Sequence, residues 1–188
     1  MKKLILQKVS LFVLVVAVML TGVLGIAGCT DSEKVIRDGI ARDFESIKNP
    51  DSEDYASLVS SLGQLNSFNI DVNDFIKSWL AGFDYKIINI KVDGDSATVD
   101  LVIEAKQVGP IMSTWLKEVQ AMQSDPDSAI TSVDEYYKKA GESLMRLVDG
   151  ASTTSVEVTI SCQRDGNTWG FSPSAEREVI NAMTGKMS

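Results

Sequence analysis

Four carboxylates, Asp84, Asp100, Glu104 and Glu157, are the side chains whose type best suits general acid or base work. That chemistry needs a carboxyl group with a shifted pKa, within reach of a substrate. Asp100 and Glu104 alternate with apolar neighbours, which turns them toward water, and no acidic pair stands at a spacing that calls for shared work. The sequence holds no histidine, which removes Ser-His-Asp triads, Cys-His pairs, imidazole bases and His-ligated zinc. Its two cysteines, Cys29 and Cys162, are too few for a Cys-rich metal site. Three acidic segments, Asp93-Gly94-Asp95, Asp125-Pro126-Asp127 and Asp165-Gly166-Asn167, have a calcium-like composition. None runs on into the twelve-residue pattern that closes on Glu, so they read as turns. Gly82, Gly94, Gly150 and Gly166 stand alone, which leaves no glycine-rich phosphate loop. The expectation is no catalytic residue, no metal and no cofactor.

One further group has binding character. Met112, Trp115, Met122, Tyr136 and Tyr137 gather in one region, and Met and aromatic side chains make adaptable contact surfaces. Their helical spacing favours an ordinary core. Where any are exposed, this region is the place to seek a protein, peptide or lipid partner.

The 188 residues suit one domain, but the overall charge of −8 averages two unlike parts. Lys2, Lys3 and Lys8 are the only charges before an uncharged stretch from Val9 to Gly28. A basic start, an apolar run and small residues make a secretory leader. It ends Ile26-Ala27-Gly28-Cys29, which resembles the lipobox of bacterial lipoprotein signals. That resemblance implies cleavage between Gly28 and Cys29 and a diacylglycerol thioether on Cys29. Two alternatives stand beside it. The uncharged stretch is just long enough for an uncleaved bilayer span, and in an oxidising compartment Cys29 could bridge Cys162. With Cys29 lipidated, Cys162 reads as a small core residue. Loss of residues 1–28 removes three lysines and no acid, leaving 160 residues with 15 basic and 26 acidic side chains, a charge of −11. Such a surface argues against nucleic acid and against anionic headgroups, so attachment must come from lipid. Two acyl chains hold stably where one does not.

The elements that would position these residues follow from periodicity. Ile36, Ile40, Phe44 and Ile47 mark a helix that a Thr30–Glu33 capping box would start and Asn49-Pro50 would stop. A short helix carries Tyr55, Leu58, Val59 and Leu62. After a Gln/Asn/Ser loop, Asp71 caps a third with Val72, Phe75, Ile76 and Trp79. From Phe83 the period becomes two, with a phase shift at Ile87-Ile88 that suggests a bulge or a strand covered on both faces. Asp93-Gly94 signals a two-residue hairpin turn, and Ala97, Val99, Leu101, Ile103 and Ala105 form the inward face of the return strand. Gly109-Pro110 opens one helix, and a second carries Ile130, Val133, Tyr137, Ala140, Leu144 and Leu147. A second hairpin turns at Asp165-Gly166 and runs through Trp169 and Phe171. Ser172-Pro173 starts a closing helix.

This order predicts an α+β fold, with N-terminal helices on a curved antiparallel sheet of about four strands. It is similar to the cystatin-like, nuclear transport factor 2-like cone. Within that group it resembles the uncharacterised lipoproteins of Gram-positive bacteria, through Tyr85 to Glu104 and Trp169 to Gly185. The predicted organisation is a leader over 1–28 and one domain over 29–188, with 109–150 an inserted helical hairpin. The functional expectation is a non-catalytic binding or interaction module, lipid-anchored on the extracytoplasmic face of the cell membrane. A cavity enzyme using a carboxylate, or a structural or chaperone-like envelope protein, is the alternative.

Overall fold

The computed structural model describes residues 24–25, 31–124 and 130–185. Gly28, Cys29, Thr30 and Asp125-Pro126-Asp127, to which the sequence assigns a cleavage site, an anchor, a cap and a turn, lie outside them. The chain has an α+β fold. Strands β2 (Asp84–Asp93), β3 (Ser96–Lys106), β4 (Thr153–Asp165) and β5 (Thr168–Phe171) form an antiparallel sheet of two hairpins. A two-residue strand, β1 (Leu24–Gly25), falls within the expected leader and pairs with β5, giving the order β1-β5-β4-β3-β2.

Alternation in β3 puts Val99, Leu101 and Ile103 on one buried face. Helices α1 (Ser32–Ser46) and α6 (Pro173–Thr184) cover that face. Ile36, Ile40, Val99, Ile103, Ile160, Cys162 and Val179 are 0% exposed, so no water-sized space adjoins them. Burying a large aliphatic side chain of this kind contributes roughly 1.5–3 kcal/mol. Phe44 of α1 meets Phe83 and Tyr85 at ring-centroid distances of 5.7 and 4.7 Å.

A second core belongs to helices. It is built by α2 (Glu53–Ser61), a 3₁₀ helix (Gly63–Phe68), α3 (Val72–Trp79), α4 (Val108–Ser124) and α5 (Val133–Gly150). Phe68, Trp115, Tyr136 and Tyr137 pack there edge to face. Leu80 and Ile180 touch both cores.

Several local expectations need correction. Asp31, not Thr30, caps α1, its carboxylate accepting from the Glu33 N–H at 3.1 Å. The Gln/Asn/Ser loop is the 3₁₀ helix, because Leu65 and Phe68 need burial and Asn69 (φ 56°) can close the turn in the left-handed region. Both hairpins turn one residue later than expected. The last pairs are Asp93↔Ser96 and Asp165↔Thr168, so Gly94 and Gly166, each at φ 60°, occupy the first loop position. Glycine first and a negative φ second is the type II′ pattern, which matches strand twist. The bulge does lie between Ile87 and Asn89, leaving Ile88 outside the register. On α5 the buried stripe is Tyr136, Ala140, Gly141, Ser143, Leu144 and Val148, and Val133 is exposed. The helix is rotated because Gly141 lets it meet the 3₁₀ helix backbone. A Cβ there would stand 2.0 Å from the Phe68 carbonyl oxygen.

Candidate functional site

The four carboxylates first singled out do not converge on an interior. Asp84 and Glu157 are exposed, and Asp100 and Glu104 are half-buried on the outer face of the sheet. Asp84 stands opposite Glu104, and Glu157 opposite Val102. Asp100 accepts from Thr159 Oγ1 at 2.8 Å, and Glu104 from Thr153 Oγ1 at 2.5 Å. These are cross-strand surface pairs, and the opposite face is packed with apolar side chains.

The aromatic and methionine group divides. Met112, Trp115 and Tyr136 are buried in the helical core, and Met122 and Tyr137 are half-buried against it. Trp115 Nε1 donates to the Ala140 carbonyl at 2.7 Å, and Gln123 Nε2 donates to Tyr136 Oη at 2.6 Å. Their polar atoms are thereby satisfied inside the layer. Cys162 is fully buried, and burial pushes its thiol up to about 11, which keeps it from acting as a thiolate near neutral pH.

Two charged groups escaped the sequence reading. Lys106 ends β3, where alternation points it outward, yet it is 7% exposed. Its ammonium donates to the carbonyls of Ser78 and Val148, each at 2.9 Å. Both carbonyls belong to the last turns of helices, α3 and α5, where unpaired oxygens and the helix dipole favour a cation. Trp79 Nε1 donates back to the Lys106 carbonyl at 3.3 Å, and Ser78 Oγ bonds to Asp149. Lys106 therefore fastens the helical layer to the end of the sheet.

The second group is Asp43. It lies three residues after Ile40 and four before Ile47, on the apolar stripe of α1, and that spacing was the signal available for finding it. Its Oδ2 is buried and lacks a hydrogen-bond partner. Burial pushes its pKa up from 3.8 to about 6; nearby Arg42 opposes the shift and Asp54 adds to it. Ser46, one turn on, bonds to the Asp43 carbonyl at 2.8 Å and to the Asp54 carboxylate. This corner between α1 and α2 can take up and release a proton near pH 6. Among the described residues, no group of three or more Asp, Glu, Cys or His is arranged to hold a metal ion.

The sequence matches no family model and no curated protein. A crystal structure from Bacillus subtilis, of a protein labelled YcdA and provisionally described as a lipoprotein, aligns with a TM-score of 0.41 at 14% identity. The alignment takes in 91% of this chain and 54% of that one, so this chain spans about half the length of that protein. The likeness is too loose to transfer a fold or a role.

Proposed function

We propose that this chain is a bacterial lipoprotein, held by lipid on the extracytoplasmic face of the cell membrane, whose domain serves as a non-catalytic binding or interaction module. The observation that carries the reading is Ile26-Ala27-Gly28-Cys29, placed where an uncharged leader with a basic start ends. Cleavage after Gly28 makes Cys29 the first residue, and a diacylglycerol thioether on its sulfur provides the two chains that stable anchoring requires. Helix α1 begins at Ser32, so only Thr30 and Asp31 would separate it from the modified cysteine. No helix among the described residues is long and apolar enough to cross a membrane. The binding role is favoured by the packing: α1 and α6 fill the inner face of the sheet, and of the carboxylates named for catalysis Asp100 and Glu104 bond to threonines on the outer face while Asp84 and Glu157 are exposed. The scaffold fits the cystatin-like, nuclear transport factor 2-like reading in its two hairpins and its helix-covered sheet face.

Fractionation of cells expressing the wild type and Cys29→Ala tests the anchor. The wild type is expected in the membrane fraction and to partition into detergent. Cys29→Ala is expected to lose that partitioning or to keep its leader. Identical partitioning of the two proteins, with the leader removed from both, would overturn the proposal.

A further inference from the structure

The lipid anchor, if it sits at Cys29, fixes which end of the molecule faces the bilayer. The sheet has two unlike ends. Both hairpin turns, Gly94-Asp95 and Gly166-Asn167, lie at one, and they are joined there by the Arg164 N–H donating to the Asp95 carbonyl at 2.8 Å. At the other, every crossing between a strand and the helical layer occurs: Trp79 to Asp84, Lys106 to Val108, and Gly150 to Thr153. The register confirms the common level, with Asp84 opposite Glu104 and Lys106 opposite Thr153. Lys106 binds the ends of α3 and α5 at that level.

Helix α1 runs between these ends. Phe44, near its C-terminus, packs on Phe83 and Tyr85 at the helical end. In the uncleaved chain β1, a few residues before the start of α1, contacts the helix and pairs with Thr168 and Trp169 beside the second turn. Its N-terminus therefore points toward the turn end. Cys29 precedes Ser32 by three residues, a reach of roughly 10 Å fully extended. The eleven-residue β3 spans roughly 36 Å at the usual rise per residue. A tether that short cannot bring the far end of the sheet to the membrane while α1 keeps its place.

We propose that the end of the sheet carrying the two glycine turns faces the bilayer, and that the α2–α5 layer stands on the far side as the outward surface. The proposal rests on acylation of Cys29. The turn end carries Asp93, Asp95 and Asp165, and Arg164 is already paired with Asp95 at 3.2 Å. Carboxylates there resist close contact with anionic headgroups, so this pole faces the surface without entering it, and the acyl chains alone hold the domain.

The test uses the acylated full-length protein in phosphatidylcholine–phosphatidylglycerol vesicles that carry a headgroup-linked acceptor dye. Cys29 is blocked by lipid and Cys162 is buried, so an introduced cysteine takes the donor. Asn167→Cys marks the turn end and Glu142→Cys the exposed side of α5. The donor at 167 is expected to lose severalfold more emission to the acceptor than the donor at 142. Asp93→Cys and Lys117→Cys repeat the comparison where either first variant folds poorly. Equal loss at the two sites, or greater loss at 142, would overturn the orientation while leaving the anchor intact. Protein that carries no lipid and stays off the vesicles would overturn the anchor, and the orientation with it.

Discussion

The sheet core and the helical core bury similar numbers of large side chains but are secured differently. Behind the sheet, Ile36, Ile40, Val99, Ile103 and Ile160 belong to one fully buried apolar cluster, and the strand period specifies which side of the sheet is inside. The helical layer depends on single polar or backbone contacts: Lys106 on two helix ends, the Trp115 indole on the Ala140 carbonyl, and Ser143 on Glu118, which Arg146 also holds. Those bonds lower the Glu118 pKa, Ser143 foremost. A hydrophobic pattern tolerates substitutions of similar volume. A backbone contact or a buried cation has few acceptable replacements, so damage to the helical layer should be sharper and more local.

The largest expected effects are at Gly141 and Ile103, one in each core. Alanine at position 141 puts a methyl group 2.0 Å from the Phe68 carbonyl oxygen, and the 3₁₀ helix must retreat. Gly141→Ala should cost about 3 kcal/mol in urea unfolding despite its gain in helix propensity. An unchanged midpoint would show that α5 does not approach the 3₁₀ helix this closely. In the sheet core, Ile103→Ala should cost about 2–4 kcal/mol through lost burial and a residual cavity. The contrast sharpens if amide exchange rises around Ile103 across all strands but only in α5 and its neighbours for Gly141→Ala.

Lys106→Met comes next. Methionine keeps much of the buried stem volume but removes the cation. The Ser78 and Val148 carbonyls then keep only longer backbone bonds, from Ala81 and Ala151 at 3.3 Å. A loss of about 1–3 kcal/mol is expected, with faster amide exchange at the ends of α3 and α5. Loss of protection spread evenly over the molecule would argue against a local fastening.

Asp43 gives a smaller effect of opposite sign. Its folded-state pKa of about 6 exceeds the ordinary 3.8, so the native state holds the proton more tightly than the unfolded chain. Stability attributable to this group is therefore greatest below about pH 4, falls as pH rises toward 6, and stays reduced above it. Asp43→Asn should flatten that slope and raise stability at pH 7 by roughly 1–2 kcal/mol. An unchanged pH profile would mean the carboxyl group is hydrated. Smallest of all, Ile88→Thr should change stability by no more than about 0.5 kcal/mol, because Ile88 sits exposed at the bulge.

The same contrast explains what the sequence made legible. Alternation in Ala97 to Ala105 identified the buried face of β3, and the phase break at Ile87-Ile88 marked the place of the bulge, which the pairing with β3 then distinguishes from a strand covered on both faces. The turns were placed one residue early because Asp-Gly suits two different loop frames, and only pairing with the opposite strand chooses between them. Lys106 was invisible since its burial depends on two helix ends far away in sequence. Asp43 was overlooked although Ile40, Asp43, Phe44 and Ile47 share a face; a carboxylate on such a stripe is a signal that periodicity carries. The rotation of α5 follows from Gly141, whose close contact with Phe68 no local pattern encodes.

The proposed anchor at Cys29 would govern both where the protein acts and which pole it presents. Mass spectrometry of the N-terminal peptide from membrane-fraction protein tests it most directly. The expected result is a peptide beginning at Cys29 whose sulfur carries a diacylglycerol group. An unmodified N-terminus at another residue, or a retained leader with a free Cys29 thiol, would contradict it.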